Sequence, residues 1–138
     1  MCPAESPMPA ADYGQHAIVL LVEDDVLLRL GVAEDIRARG FVVVEAANGE
    51  EARSLVLAGV TIDVVVSDIA MPGALDGTDL AAWLAESGVK APIILTSGLT
   101  SALSAAQAKC PHVKAFLPKP YDPEQVIARI EALLAARA

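Results

Sequence analysis

The chain of 138 residues carries 18 acidic side chains against 10 basic ones, a net charge of −8, and 54% of its residues are hydrophobic. Length and apolar content match one folded domain and exclude disorder over most of it, while the acidic balance argues against a nucleic-acid or membrane-surface partner. Mean hydropathy is +0.49, yet the longest apolar runs, Ala17–Val22 and Leu80–Ala85, are six residues, far short of the roughly 20 that a bilayer span needs.

Residues 1–15 place Pro3, Pro7 and Pro9 among small and polar side chains and read as a flexible leader, ahead of a single domain over 16–138. No basic start with an apolar stretch marks a secretory signal, and Cys2 and Cys110 make no disulfide framework, so the cytoplasm is the expected compartment. The first β-branched run is Ile18–Val22. A helix is predicted after it, with Leu28, Val32 and Ile36 on one face and Gly40 at its stop. Phe41–Val44 is the second predicted strand. Asn48-Gly49 turns into a short helix over Glu50–Ala58 that ends at Gly59.

Asp63–Ser67 is the third predicted strand, followed by about ten irregular residues. A helix beginning near Thr78 puts Leu80, Trp83 and Leu84 on one face and stops at Gly88. Pro92–Thr96 is the fourth strand, Thr100–Lys109 an Ala- and Ser-rich helix, and Val113–Leu117 the fifth strand. The last helix has the clearest start signal: Asp122 as N-cap, Pro123 in the first turn and Gln125 three residues after the cap. Val126, Ile127, Ile130, Leu133 and Leu134 supply its apolar face.

Strands and helices that alternate at this spacing predict an α/β fold: a flavodoxin-like, doubly wound, five-stranded parallel sheet of order 2-1-3-4-5 with helices on both faces. Ligands of such sheets bind beyond the carboxyl ends of the strands. There the first strand runs into Glu23-Asp24-Asp25, the third ends at Asp68, the fourth at Thr96-Ser97, and Lys119 follows the fifth. Each residue has a plainer reading. Asp25 caps the next helix; Asp68 has no helix to cap for about ten residues, and Lys119 stands between Pro118 and Pro120 in a held loop. Together they bring carboxylates, a hydroxyl and an ammonium to one rim from four strand ends.

Three carboxylates held together repel one another and need a cation to stay ionised. All-oxygen ligands with room for water suit Mg²⁺, and a hydroxyl and a lysine beside it suit phosphoryl oxygens. The cluster is therefore expected to receive phosphate on Asp68. His16 and His112 fall at strand entrances, away from this rim.

In these residues the sequence resembles the receiver domain of two-component response regulators. The motifs stand in order as LVEDD, VVVSDIAMP, DG, ILTSG and FLPKP, between Ala17 and Arg137. The resemblance implies that Asp68 is the phosphoacceptor. It implies Mg²⁺ held by Glu23, Asp24 (the direct ligand), Asp68 and the backbone carbonyl of Ala70. Thr96 would bond the phosphoryl group, Lys119 would pair with it, and the Lys119–Pro120 bond would be cis. Thr96 and Phe116 would form a switch acting on the surface of the fourth helix, fifth strand and fifth helix. The implied partners are a histidine kinase or histidine phosphotransfer protein and a downstream protein target.

Three features depart from the usual receiver pattern. Gly73-Ala74-Leu75 makes the loop before Asp76-Gly77 about one residue longer; Ala70 and Gly98 are small where many receivers carry larger or polar groups; and the fourth helix has almost no charge, which removes an ion-pair dimer interface. With the chain ending at Ala138, a stand-alone response regulator is expected, one that catalyses only its own phosphorylation and dephosphorylation and is otherwise not an enzyme. Two rivals are an aspartyl-phosphate phosphohydrolase, whose haloacid-dehalogenase-like version needs an Asp where Ala70 stands, and a receiver-shaped scaffold that is never phosphorylated.

Overall fold

Runs of Val, Ile and Leu that can be covered on both sides form the strands β1 (Ile18–Val22), β2 (Val42–Ala46), β3 (Val64–Asp68), β4 (Ile93–Ser97) and β5 (Ala115–Pro118). All neighbours pair in parallel, in the order β2-β1-β3-β4-β5. Between and after them run α1 (Val26–Ala38), α2 (Gly49–Leu57), α3 (Gly77–Glu86), α4 (Thr100–Lys109) and α5 (Pro123–Ala136). The computed structural model describes residues 17–137; the expected leader over 1–15, with Cys2, and His16 lie outside the described residues.

The pleat divides the core in two. Val19 and Leu21 of β1 pack with Val32 and Ile36 of α1 and with Val126, Ile127 and Ile130 of α5. Leu20 and Val22 pack on the other side with Ala52 of α2, Leu80 and Leu84 of α3, and Leu103 and Ala106 of α4. Alternate side chains of one strand thus feed two cores, and the sheet is covered on both faces.

Four helices begin at side-chain caps. Asp25 accepts from the Leu28 N–H at 3.1 Å and Asn48 from that of Glu51 at 2.8 Å. Asp76 and Asp79 cap each other reciprocally, as do Asp122 and Gln125. The exception is α4, which follows Leu99 with no side-chain cap and buries only Leu103 and Ala106.

The later strands run one or two residues further than their composition predicts. Pro92 has no N–H to give and only accepts, from Val65, so β4 begins at Ile93. At the other end the ladder continues while a partner lasts: Asp68 pairs in register with Thr96, and Ser97 with Pro118. Asp68 is therefore the last residue of β3 itself, held by strand pairing on its way into the loop.

Leu84 is fully buried between α3 and the sheet. Leu84→Ala is expected to lower stability by about 2–5 kcal/mol, measured as a lower urea midpoint with an unchanged slope.

Candidate functional site

The turn from β1 into α1 is held at every polar handle of Glu23. Its N–H continues the ladder to the Ala46 carbonyl at 3.0 Å, and its carbonyl accepts from Arg29 Nη1 at 2.8 Å. One carboxylate oxygen accepts from the Asp25 N–H at 3.1 Å and the other from Lys119 Nζ at 2.7 Å. The Glu23 side chain is buried, whereas the next residue, Asp24, is exposed.

Asp68 is 7% exposed, and its Oδ2 lies 3.1 Å from Lys119 Nζ. The lysine thus bridges the two buried carboxylates. Its own backbone is tied down, since the Lys119 N–H bonds the Ser97 carbonyl at 2.7 Å before a cis bond to Pro120. Thr96, also buried, is Asp68's register partner on β4. Carboxylate oxygens of Glu23, Asp24 and Asp68 lie within 4.8 Å of one another. Three strand ends thus bring Glu23, Asp24, Asp68 and Lys119 together, with Thr96 adjoining from a fourth.

Burial dominates the electrostatics. It pushes the Asp68 carboxyl above the usual aspartate range, with the Asp24 charge adding to it and Lys119 only partly offsetting it. Burial likewise raises Glu23 against the bonds from Lys119 and Asp25. Burial works against the Lys119 ammonium too, but the bond it donates to Glu23 and the Asp68 charge lift it above the ordinary lysine range. Beside them, burial and the Glu23 charge push Tyr121 up to about 12. Three acids against one lysine leave the cluster short of positive charge. A hard divalent cation fits that donor set, with the exposed Asp24 side leaving room for water.

The sequence reading missed one neighbour of the site. A Cβ on Gly77 would lie 2.3 Å from the Asp68 carbonyl oxygen and 2.7 Å from the Ile69 Cα, and the Gly77 N–H bonds the Ile69 carbonyl at 2.8 Å. Only a residue without a side chain lets α3 start against the backbone of Asp68. The Asp76–Asp79 spacing was a legible cap signal, but this close approach depends on where β3 runs. The long loop between β3 and α3 is also latched: the Glu50 carboxylate accepts from the Ala74 N–H at 2.6 Å.

Other singled-out residues fall around the rim or away from it. Ala70 and Gly98 are exposed, and a Cβ on Gly98 would meet nothing within 4 Å. Phe116 is half-buried against the core beneath α2, α3 and α4. His112 bonds the Ala81 carbonyl at 3.0 Å, and Cys110 is buried at the end of α4, both outside the cluster. A shallow cleft of about 360 Å³, lined by Leu28, Gly98, Lys119, Pro120 and Tyr121, opens beside the lysine.

The family model of the response regulator receiver domain matches residues 19–131. The chain belongs to this family, and its cluster of Glu23, Asp24, Asp68 and Lys119 supports signalling through phosphorylation of an aspartate. It is 34% identical over 126 residues to the sensor kinase CckA of Brucella abortus, covering 91% of this chain and 13% of the relative. Identity is 32% to the transcriptional regulatory protein PdtaR of Mycobacterium tuberculosis, covering 91% of this chain and 60% of the relative. The chain thus spans less than two thirds of these relatives' length. Among solved structures it resembles a response regulator receiver protein from Sinorhizobium medicae, at 27% identity and a TM-score of 0.79 over 89% of this chain and 98% of that one. It also resembles the response regulator TrrA of Thermotoga maritima in complex with Mg²⁺-BeF, at 25% identity and a TM-score of 0.77 over 86% and 99%. No helix among the described residues is long and apolar enough to cross a membrane.

The raised Asp68 makes a pH-dependent prediction for the metal-free protein. The unfolded chain gives up this proton near 3.8, whereas the folded chain holds it to higher pH, so the fold loses stability as pH rises through the folded value. Asp68→Asn is expected to melt above wild type at neutral pH in chelator, with the gap closing as pH falls toward 3.8. A variant that melts lower at neutral pH contradicts the burial argument.

Proposed function

We propose that Asp68 accepts a phosphoryl group from a histidine kinase or a histidine phosphotransfer protein, and that the new charge resets the surface of α4, β5 and α5 for a protein partner or for onward relay. The observation that carries this reading is the cluster in which Asp68 shares Lys119 with Glu23, has an Asp24 carboxylate oxygen within 4.8 Å, and has Thr96 as its strand partner.

An Asp68 oxygen attacks the phosphorus of phosphohistidine, the P–N bond breaks, and its electron pair leaves with the imidazole. Lys119, already between two carboxylates, turns its ammonium to the incoming phosphoryl oxygens, and the Thr96 hydroxyl donates to another. Glu23, Asp24, Asp68 and the Ala70 carbonyl would hold Mg²⁺, which when bound supplies the positive charge that lets two anions approach. That TrrA relative holding Mg²⁺ with BeF supports this assignment.

The donor must reach Asp68 past α1, which begins immediately beyond Asp25 and leaves Val26, Leu27 and Leu30 exposed. A docked donor would cover this apolar border. On the output side, α4 begins without a side-chain cap and packs on β4 and β5 through Leu103 and Ala106. Phe116 lies on β5 beneath that region and follows Thr96 inward through packing, since a phenyl ring offers no hydrogen bond. Moving such a surface almost completely from one state to the other takes about 5.5 kcal/mol of differential interaction.

Incubation of the whole chain with a small-molecule phosphodonor and Mg²⁺ is expected to add one phosphate, seen by intact mass, and Asp68→Asn is expected to add none. Sustained release of phosphate from many substrates would point instead to a hydrolase, and no modification to an inert scaffold. The open space at Ala70 and Gly98 leaves the phosphoryl group accessible to water, so Gly98→Leu is expected to slow dephosphorylation. Equal rates in variant and wild type would remove that idea.

A further inference from the structure

We propose that Arg29 is a positioning residue for the acidic pair, setting the affinity of the site for its divalent cation. The inference rests on the Mg²⁺ reading above. Asp24 is exposed, so what places its carboxylate is the main chain on either side of it. On one side that chain is Asp25, which opens α1. On the other it is the Glu23 carbonyl, and Arg29 Nη1 holds that carbonyl at 2.8 Å.

The guanidinium is itself fixed from a third element. Arg29 Nε pairs with Glu45 Oε1 on β2 at 3.1 Å, and only 15% of the arginine side chain is exposed. The other Glu45 oxygen takes Arg37 Nη2 at 3.1 Å, and Arg37 also bonds the Val43 carbonyl at 3.0 Å. Glu45 stands opposite Leu21 in the ladder, one residue before β1 ends. A bracket thus runs from α1 to β2 across the exit of β1 and grips the peptide that presents Glu23 and Asp24. Its fork geometry reaches a carboxylate and a carbonyl at once, which a lysine ammonium on its single flexible stem does not reproduce.

Position and charge act in opposite directions here. Arg29 puts a positive charge beside a cation site, so by Coulomb's law alone its removal should tighten Mg²⁺ binding. Loss of positioning should weaken it. Groups that orient metal ligands in this way cost on the order of tenfold or more in affinity when replaced.

The test is calorimetric titration of the 138-residue chain with MgCl₂, comparing wild type with Arg29→Gln and Arg29→Lys, each first checked for cooperative thermal melting. Both variants are expected to bind Mg²⁺ on the order of tenfold more weakly. A purely structural role would lower the melting temperature and leave the dissociation constant of the folded protein unchanged, which overturns the proposal. Tighter binding by Arg29→Gln also overturns it, as a charge effect alone. If Arg29→Gln does not fold, Arg29→Lys decides by the same measure. Failure of the wild type to take up Mg²⁺ would remove the metal reading itself, and this inference with it.

Discussion

One ammonium withdrawn from water between two carboxylates is the constraint around which this molecule is organised. Lys119 reaches Glu23 at 2.7 Å and Asp68 at 3.1 Å, and Asp24 adds a third negative charge at the rim. Burial raises both shared acids despite the lysine, so desolvation outweighs the attraction it offers. The site is electrostatically incomplete as it stands. A divalent cation held by Glu23, Asp24 and Asp68 would supply the missing positive charge and favour the ionised form of Asp68 that the proposed phosphoryl transfer needs.

The rest of the fold holds this arrangement in place. Strands β1 and β3 lie inside the sheet between two apolar cores; β1 runs straight into Glu23, and β3 ends at Asp68. Register pairing carries Asp68 next to Thr96, and Lys119 is tied back to Ser97. Gly77 lets α3 start against the Asp68 backbone, and Arg29 grips the Glu23 carbonyl. At the side of the sheet where β4 and β5 pack on α4, that helix starts without the side-chain cap the other four have.

Much of this was legible in the residues. The caps at Asp25 and Asp122, the helix stops at Gly40, Gly59 and Gly88, and the β-branched runs all report local physics, and each sits where its chemistry predicts. Strand ends were less legible, because a ladder stops when its partner stops and not where composition changes. Hence Asp68 is a strand residue here and not the first residue of a loop. The motif residues at the strand ends could be singled out because parallel α/β topology itself sends them to one rim.

Other parts of the site had no local signature. Nothing near Arg29 in sequence says that it bonds the Glu23 carbonyl and Glu45, since that bracket closes only when β2 lies beside β1. Gly77 looks like an ordinary helix-start glycine until the Asp68 backbone is found where its Cβ would be. By itself the sequence determined the order of elements, the topology and which acids, hydroxyl and lysine meet at the carboxyl edge, because periodicity, capping and crossover handedness are short-range or generic rules. Tertiary structure alone decided the distances, the sharing of Lys119 and the raised acids, because burial and charge coupling belong to groups brought together from strands far apart in the chain.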